Sequence, residues 1–273
     1  MEKTTINYKN FWEKEAGVYQ KIYKIGLEEY AKYFIPNLYW AFSSVFMSVA
    51  CMDDGITDGK MRIGGSGIFE FKTLEDVADV LLAANVDLVT THEDCGGARL
   101  AYAEKHRVSL ESISDEQVDQ FSIAWGIALA DRLNELIHKQ NKYKQIFHRH
   151  IKNNELNRPK NFHPARMLYL NATKNPFNPS RVIGLPCGYV ISRSYLTATQ
   201  AQNFATRAIA ISFSKIGFQT WITEANPFIV GIVTNIREDG VSFSALKEEI
   251  MPVIAPYGNK VIIDSLTTNW LAF

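Results

Sequence analysis

Apolar residues fall into two kinds of run along this chain. Residues 45–50 and 86–91 are short and mostly apolar, and each stops where acidic or glycine-rich residues begin. Buried strands have that form. Between them Thr73, with Asp76 three residues on, predicts the start of a helix whose Leu74, Val77, Leu81 and Leu82 share a face, and Asn85 ends it. Gly96 and Gly97 then open a second helix over residues 98–105. Strand, helix, strand, helix in this rhythm predicts a parallel sheet with right-handed crossovers. Upstream, Phe11, Val18, Ile22, Ile25, Tyr30 and Phe34 have helical spacing, which predicts a helical arm or a pair of helices packed on the sheet or on a partner subunit.

Downstream, Ser114 and Gln117 form a capping pair for a long helix. Its Val118, Phe121, Trp125, Ile127, Leu129, Leu133 and Leu136 are apolar on more than one side, so it is expected to be covered on more than one side. Residues 138–160 are polar and basic and read as a helix end and linker. Beyond Pro159, strands are expected at 167–171, 182–192, 228–234 and 261–264, with a turn at 175–179 and helices at 199–216 and 244–254. No internal sequence repeat or low-complexity tract is visible. The fold class predicted is α/β: a parallel central sheet with flanking helices in residues 1–145, then an α+β extension in residues 146–273. That extension is expected to continue the sheet, stand apart or cover a pocket.

Composition narrows the functional classes. The chain has 273 residues, enough to bury a substantial core. Its 29 basic and 29 acidic side chains balance, leaving no net field to attract nucleic acid or anionic lipid. No apolar run reaches the roughly 18 residues of a spanning helix, and residues 1–14 lack a signal-peptide core, so neither membrane insertion nor secretion is expected. Three scattered cysteines argue against a disulfide framework and for a reducing, cytoplasmic setting. No Walker loop, serine-nucleophile elbow or paired-histidine zincin motif occurs.

The chemistry concentrates at the two predicted strand ends. Cys51-Met52-Asp53 follows the first strand and His92-Glu93-Asp94-Cys95-Gly96 the second. Ligands at strand carboxyl ends are how an α/β sheet presents chemistry. Two thiolates and one imidazole suit Zn²⁺ with a fourth position open. The acidic residues 53–59 read as a solvated turn or, less simply, an oxygen-ligand cation site. Gly64, Gly65 and Gly67 read as a close-packed strand exit or an anion nest. His148 and His150 offer a further metal or phosphate contact against the simpler reading of a solvated linker. Cys187 reads as a small buried apolar residue. His163 and Arg166 read as surface residues, with a place in a pocket as the alternative.

The pair of motifs resembles the β-class carbonic anhydrases, in which Cys-x-Asp-x-Arg is followed by His-x-x-Cys-Gly. The resemblance covers residues 45–105. It implies Zn²⁺ held by Cys51, His92 and Cys95, and Asp53 as the catalytic residue. The implied reaction interconverts carbon dioxide and bicarbonate through zinc-bound hydroxide. Backbone N–H groups near Gly96 and Gly97 would steady the oxyanion, with Glu93 and Asp94 behind the ligands and a homodimer as the assembly. Gly55 departs from the pattern, standing where the family has an arginine that pairs with the aspartate. Asp53 is then free either to close the zinc as a fourth ligand, giving a non-catalytic binding protein, or to find another cation, with Arg62 the nearest in sequence. Carbonyl sulfide or carbon disulfide hydrolysis and thiol redox chemistry at Cys51 and Cys95 are the remaining alternatives.

Overall fold

A computed structural model describes residues 7–71, 73–140, 144–235 and 242–268. Part of the polar N-terminus and residues 141–143 of the expected linker lie outside them. The fold is α/β, built on two parallel four-stranded sheets.

The first sheet consists of β1 (Ser48–Ala50), β2 (Met61–Arg62), β3 (Leu88–His92) and β4 (Phe147–Ile151), in the order β2-β1-β3-β4. Helices α3 (Leu74–Ala83), α4 (Gly96–His106) and α5 (Asp115–Lys139) connect and cover it. Both predicted capping pairs form: Thr73 with Asp76 starts α3, and Ser114 with Gln117 starts α5. Helix α5 buries Val118, Leu129 and Leu133 and leaves Ile127 exposed, so one broad side is covered rather than several. Its Gly126 lies so close to β4 that a Cβ there would stand 2.3 Å from the His148 ring.

Strand β4 falls inside the predicted linker. It is a half-exposed edge strand whose polar side chains conceal it, yet it pairs with β3 from Leu88↔Phe147 to His92↔Ile151. His148 Nε2 and His150 Nδ1 both lie 2.8 Å from Thr91 Oγ1, so the two histidines fasten this edge to β3 instead of facing solvent.

The second sheet consists of β5 (Met167–Asn171), β6 (Tyr189–Ser192), β7 (Phe228–Thr234) and β8 (Val261–Thr267), in the order β6-β5-β7-β8. All its neighbours are parallel, so the C-terminal half is α/β and not the α+β extension expected. Strand β6 is shorter than the predicted 182–192, because residues 182–185 form a turn in which Gly184 takes a left-handed conformation (φ 92°). Helices α6 (Ala198–Ser212) and α7 (Phe243–Ile254) cover one face, where Leu168 and Leu170 point. The N-terminal helices α1 (Tyr8–Ile25) and α2 (Leu27–Phe34) contribute to the core on the other face, with Met167 and Tyr169. The helical arm is thus real, and it docks on the second half of its own chain. Asp264 of β8 fixes it by accepting the Leu27 N–H at the start of α2, 2.7 Å away.

Both sheets share one strand order, a topological repeat with no counterpart in the sequence. The halves meet where β2 lies beside β6: Arg62 N–H donates to Ser192 Oγ (2.9 Å) and Val190 N–H to Met52 O (3.1 Å). Registers equate Ala50 with Asn171, so Cys51 corresponds to Ala172 and His92 to Asn235. Only the first half carries the soft ligands. No helix among the described residues is long and apolar enough to cross a membrane.

Candidate metal centre

Strands β1 and β3 are parallel neighbours, with Val49 opposite Val89, so their carboxyl ends emerge side by side. Cys51 leaves one and His92 ends the other. Asp94 then takes a left-handed conformation (φ 58°), which aspartate tolerates better than most residues and which turns Cys95 back as the N-cap of α4. The result brings one donor atom each from Cys51, His92 and Cys95 within 4.8 Å of one another, in a group that could hold a metal. Donors bound to tetrahedral Zn²⁺ at about 2.0–2.3 Å stand roughly 3.5–3.8 Å apart, so the set needs little adjustment.

The surroundings of the donors suit a cation. His92 Nδ1 lies 2.7 Å from the Glu93 carbonyl, which can only accept, so Nδ1 carries the proton. In the neutral ring, the form in which imidazole ligates a metal, Nε2 is then the bare acceptor, and it is buried with no hydrogen-bond partner. Fixing the far nitrogen in this way is how ligating histidines are oriented. Gly65 N–H donates to Cys51 Sγ at 3.2 Å, favouring the thiolate. The Cys51 thiol is held well below its usual range, first by the hydrogen bond from Cys95 and then by His92. Cys95, as the donor, is pushed up by the same bond and by burial. Burial would lower His92, but the Cys51 thiolate outweighs it and raises the ring to about 9.

The glycine turn takes the close-packed form of its two readings. Gly65 has φ 55°, and a Cβ on Gly97 would stand 3.0 Å from Gly65 N. A Cβ on Gly64 would strike the Phe204 ring at 2.5 Å.

Asp53 is engaged elsewhere. Arg158 grips it bidentately, Nε to Oδ1 at 2.7 Å and Nη2 to Oδ2 at 2.9 Å, while Gly55 N–H also donates to Oδ1 at 2.8 Å. Burial alone would raise the Asp53 carboxyl, but the Arg158 guanidinium reverses this and holds it far below the usual carboxylate range. Arg158 also reaches Asp94 Oδ2 (3.0 Å) and so ties the two ligand-bearing loops together. A Cβ on Gly55 would lie 2.6 Å from Arg158 Cγ. The missing side chain at Gly55 therefore makes room for an arginine arriving from residue 158.

Arg62, the nearer candidate in sequence, does a different job. Fully buried, it donates from Nε to Cys51 O and from Nη2 to Asp53 O, each at 2.7 Å, supporting the backbone of the loop and not the carboxylate.

The acidic turn is correspondingly not solvated, for Asp53 and Asp54 are both buried. Asp54 Oδ1 lies 2.7 Å from His163 Nδ1, and Asp53, Asp54 and His163 form a second group with metal-binding spacing. The Arg158 guanidinium, within 4 Å of both carboxylates, already supplies cationic charge there, which opposes a second cation. His163 and Arg166, read as surface residues, are both buried, and His163 lines the cavity beside Cys51 as the alternative reading had it, whereas Cys187, read as buried, is only half-buried.

A cavity of about 480 Å³ opens beside the ligands. Cys51, Asp53 and Gly65 line it from the first half, and His163, Tyr189 and Ile211 from the second. Compared with models of known protein families, with curated proteins and with solved structures, the chain matches none.

Proposed function

We propose that this protein is a zinc-dependent lyase that interconverts carbon dioxide and bicarbonate. The observation that carries this reading is the pairing of a convergent Cys51, His92 and Cys95 with an Asp53 whose oxygens are occupied by Arg158 and Gly55 N–H. A carboxylate held in this way favours three protein ligands over four, leaving a coordination position for solvent. When bound, Zn²⁺ supplies Lewis acidity that brings the pKa of a coordinated water towards neutrality.

The remaining roles belong to the chain. Asp53, kept ionised by Arg158, accepts a hydrogen bond and orients the attacking oxygen. Gly96 and Gly97 line the same cavity, and N–H groups there, at the start of α4, would steady negative charge developing on the substrate. Tyr189, Ala210, Ile211 and Ile216 give the second-half wall of the cavity an apolar stretch suited to an uncharged linear substrate, flanked by the polar His163 and Arg207. Carbonyl sulfide and carbon disulfide share that shape and polarity and belong in the same assay.

The test is stopped-flow CO₂ hydration on the metal-replete full chain, with metal content measured in parallel. Asp53→Ala is expected to keep the metal and lose about 10²-fold or more in rate. A metal-replete wild type inert towards all three substrates would refute the reading and favour a non-catalytic binding protein.

A further inference from the structure

We infer that Arg166, at the foot of β5 beneath α1, anchors a binding site for one small monovalent anion of halide size. This rests on a different part of the molecule from the metal centre and is independent of the proposed reaction. The Arg166 side chain is 3% exposed. Its Cζ lies 3.6 Å from the centre of the Trp12 ring and 4.1 Å from that of Tyr19, both on α1. Aromatic faces attract the cation but accept no conventional N–H hydrogen bond from it. Nε and Nη1 are buried with no partner.

Arg166 lines a cavity of about 20 Å³ together with Gln20, Tyr23, Asn226 and Pro227. That volume admits roughly one sphere the size of a water molecule and excludes sulfate or phosphate. Water would satisfy the N–H groups but bring no negative charge to the buried guanidinium. Buried charges are paired as a rule, because an unpaired one is costly. Glu15, on α1 between Trp12 and Tyr19, is the acid whose charge Arg166 feels. Burial pushes the Glu15 carboxyl up, against the attraction of Arg166. No carboxylate lines the cavity itself.

A halide there would bridge α1, the entry to β5 and residues 225–227 leading into β7. Occupancy would therefore strengthen docking of the N-terminal arm.

The experiment is thermal unfolding of the full chain at constant ionic strength, with chloride or bromide exchanged for bulky gluconate, alongside bromide-soaked crystals. The halides are expected to raise Tm by about 3 °C or more at saturation. An anomalous bromide peak should lie within hydrogen-bond distance of Arg166 Nε or Nη1. Arg166→Met, which keeps an apolar stem beside the rings, should lose the halide dependence. Equal Tm in halide and gluconate with no bromide peak would overturn the site, leaving Glu15 and water to compensate the charge. Halide dependence surviving in Arg166→Met would overturn it as well. If that variant does not fold, the wild-type salt comparison and the bromide peak still decide.

Discussion

Asp53 is the residue whose fate separates an open metal site from a closed one, and Arg158 decides it. Removing one member of a buried ion pair strands the other, at a cost of about 3–5 kcal/mol. Arg158→Met should show a loss of that order in urea denaturation. Its Asp53 carboxyl should titrate closer to the ordinary range, and any Asp53-dependent activity should fall. Gly55→Arg by itself should also destabilise the chain, because its Cβ would already stand 2.6 Å from Arg158 Cγ. Combining the two, Gly55→Arg with Arg158→Ala, moves the guanidinium to the adjacent loop and should recover part of both losses; strictly additive losses would show that the two positions do not share one role. The convergence of Cys51, His92 and Cys95 was legible in the sequence because the three stand at the ends of two adjacent strands, in an informative order. Arg158 was not, since a contact over a separation of 105 residues leaves no local trace. Its one sequence signal was Gly55, a vacated position implying that something else occupies the space.

At the scale of elements, polar side chains on an edge strand misled more than any apolar run did. Helices α3 and α5 were readable because capping pairs and helical spacing are local properties. Strand β4 was hidden because Phe147 is exposed and His148, Arg149 and His150 suggest solvent. What holds β4 is its ladder with β3, the Thr91 hydroxyl between two imidazoles, and the close approach of α5 at Gly126. Two effects of Gly126→Ala therefore oppose each other. Helix propensity favours alanine by about 1 kcal/mol. The new Cβ, 2.3 Å from His148 and 3.0 Å from Thr91 Cγ2, introduces overpacking of about 1–3 kcal/mol. Net destabilisation is expected, and truncating the ring in Gly126→Ala/His148→Ala should relieve most of the clash. Equal stability of wild type and Gly126→Ala would mean that the His148 ring swings away at little cost.

Across the whole molecule, one strand order is used twice and the chemistry is divided unequally between the copies. The first half supplies Cys51, His92 and Cys95, and the second supplies the opposite wall of the cavity. Strand order follows from packing and connection length, which very different side chains satisfy, so the repeat left no mark on the sequence. The segment joining the halves carries Arg158, His163 and Arg166 within nine residues, and each is buried. His163 makes that junction sensitive to pH. Burial alone would lower its imidazole, but Asp54 and then Asp53 more than offset this, despite opposition from Arg158, and raise it above the ordinary 6.5. The folded chain thus holds this proton more tightly than the unfolded one. The stabilisation is complete below about pH 6.5 and lost as pH rises through the folded-state value. Urea denaturation at a series of pH values should therefore show the advantage of wild type over His163→Gln shrinking above pH 6.5. A constant advantage across that range would mean that His163 holds the halves together by packing on Tyr189 and a neutral hydrogen bond to Asp54, without a charge.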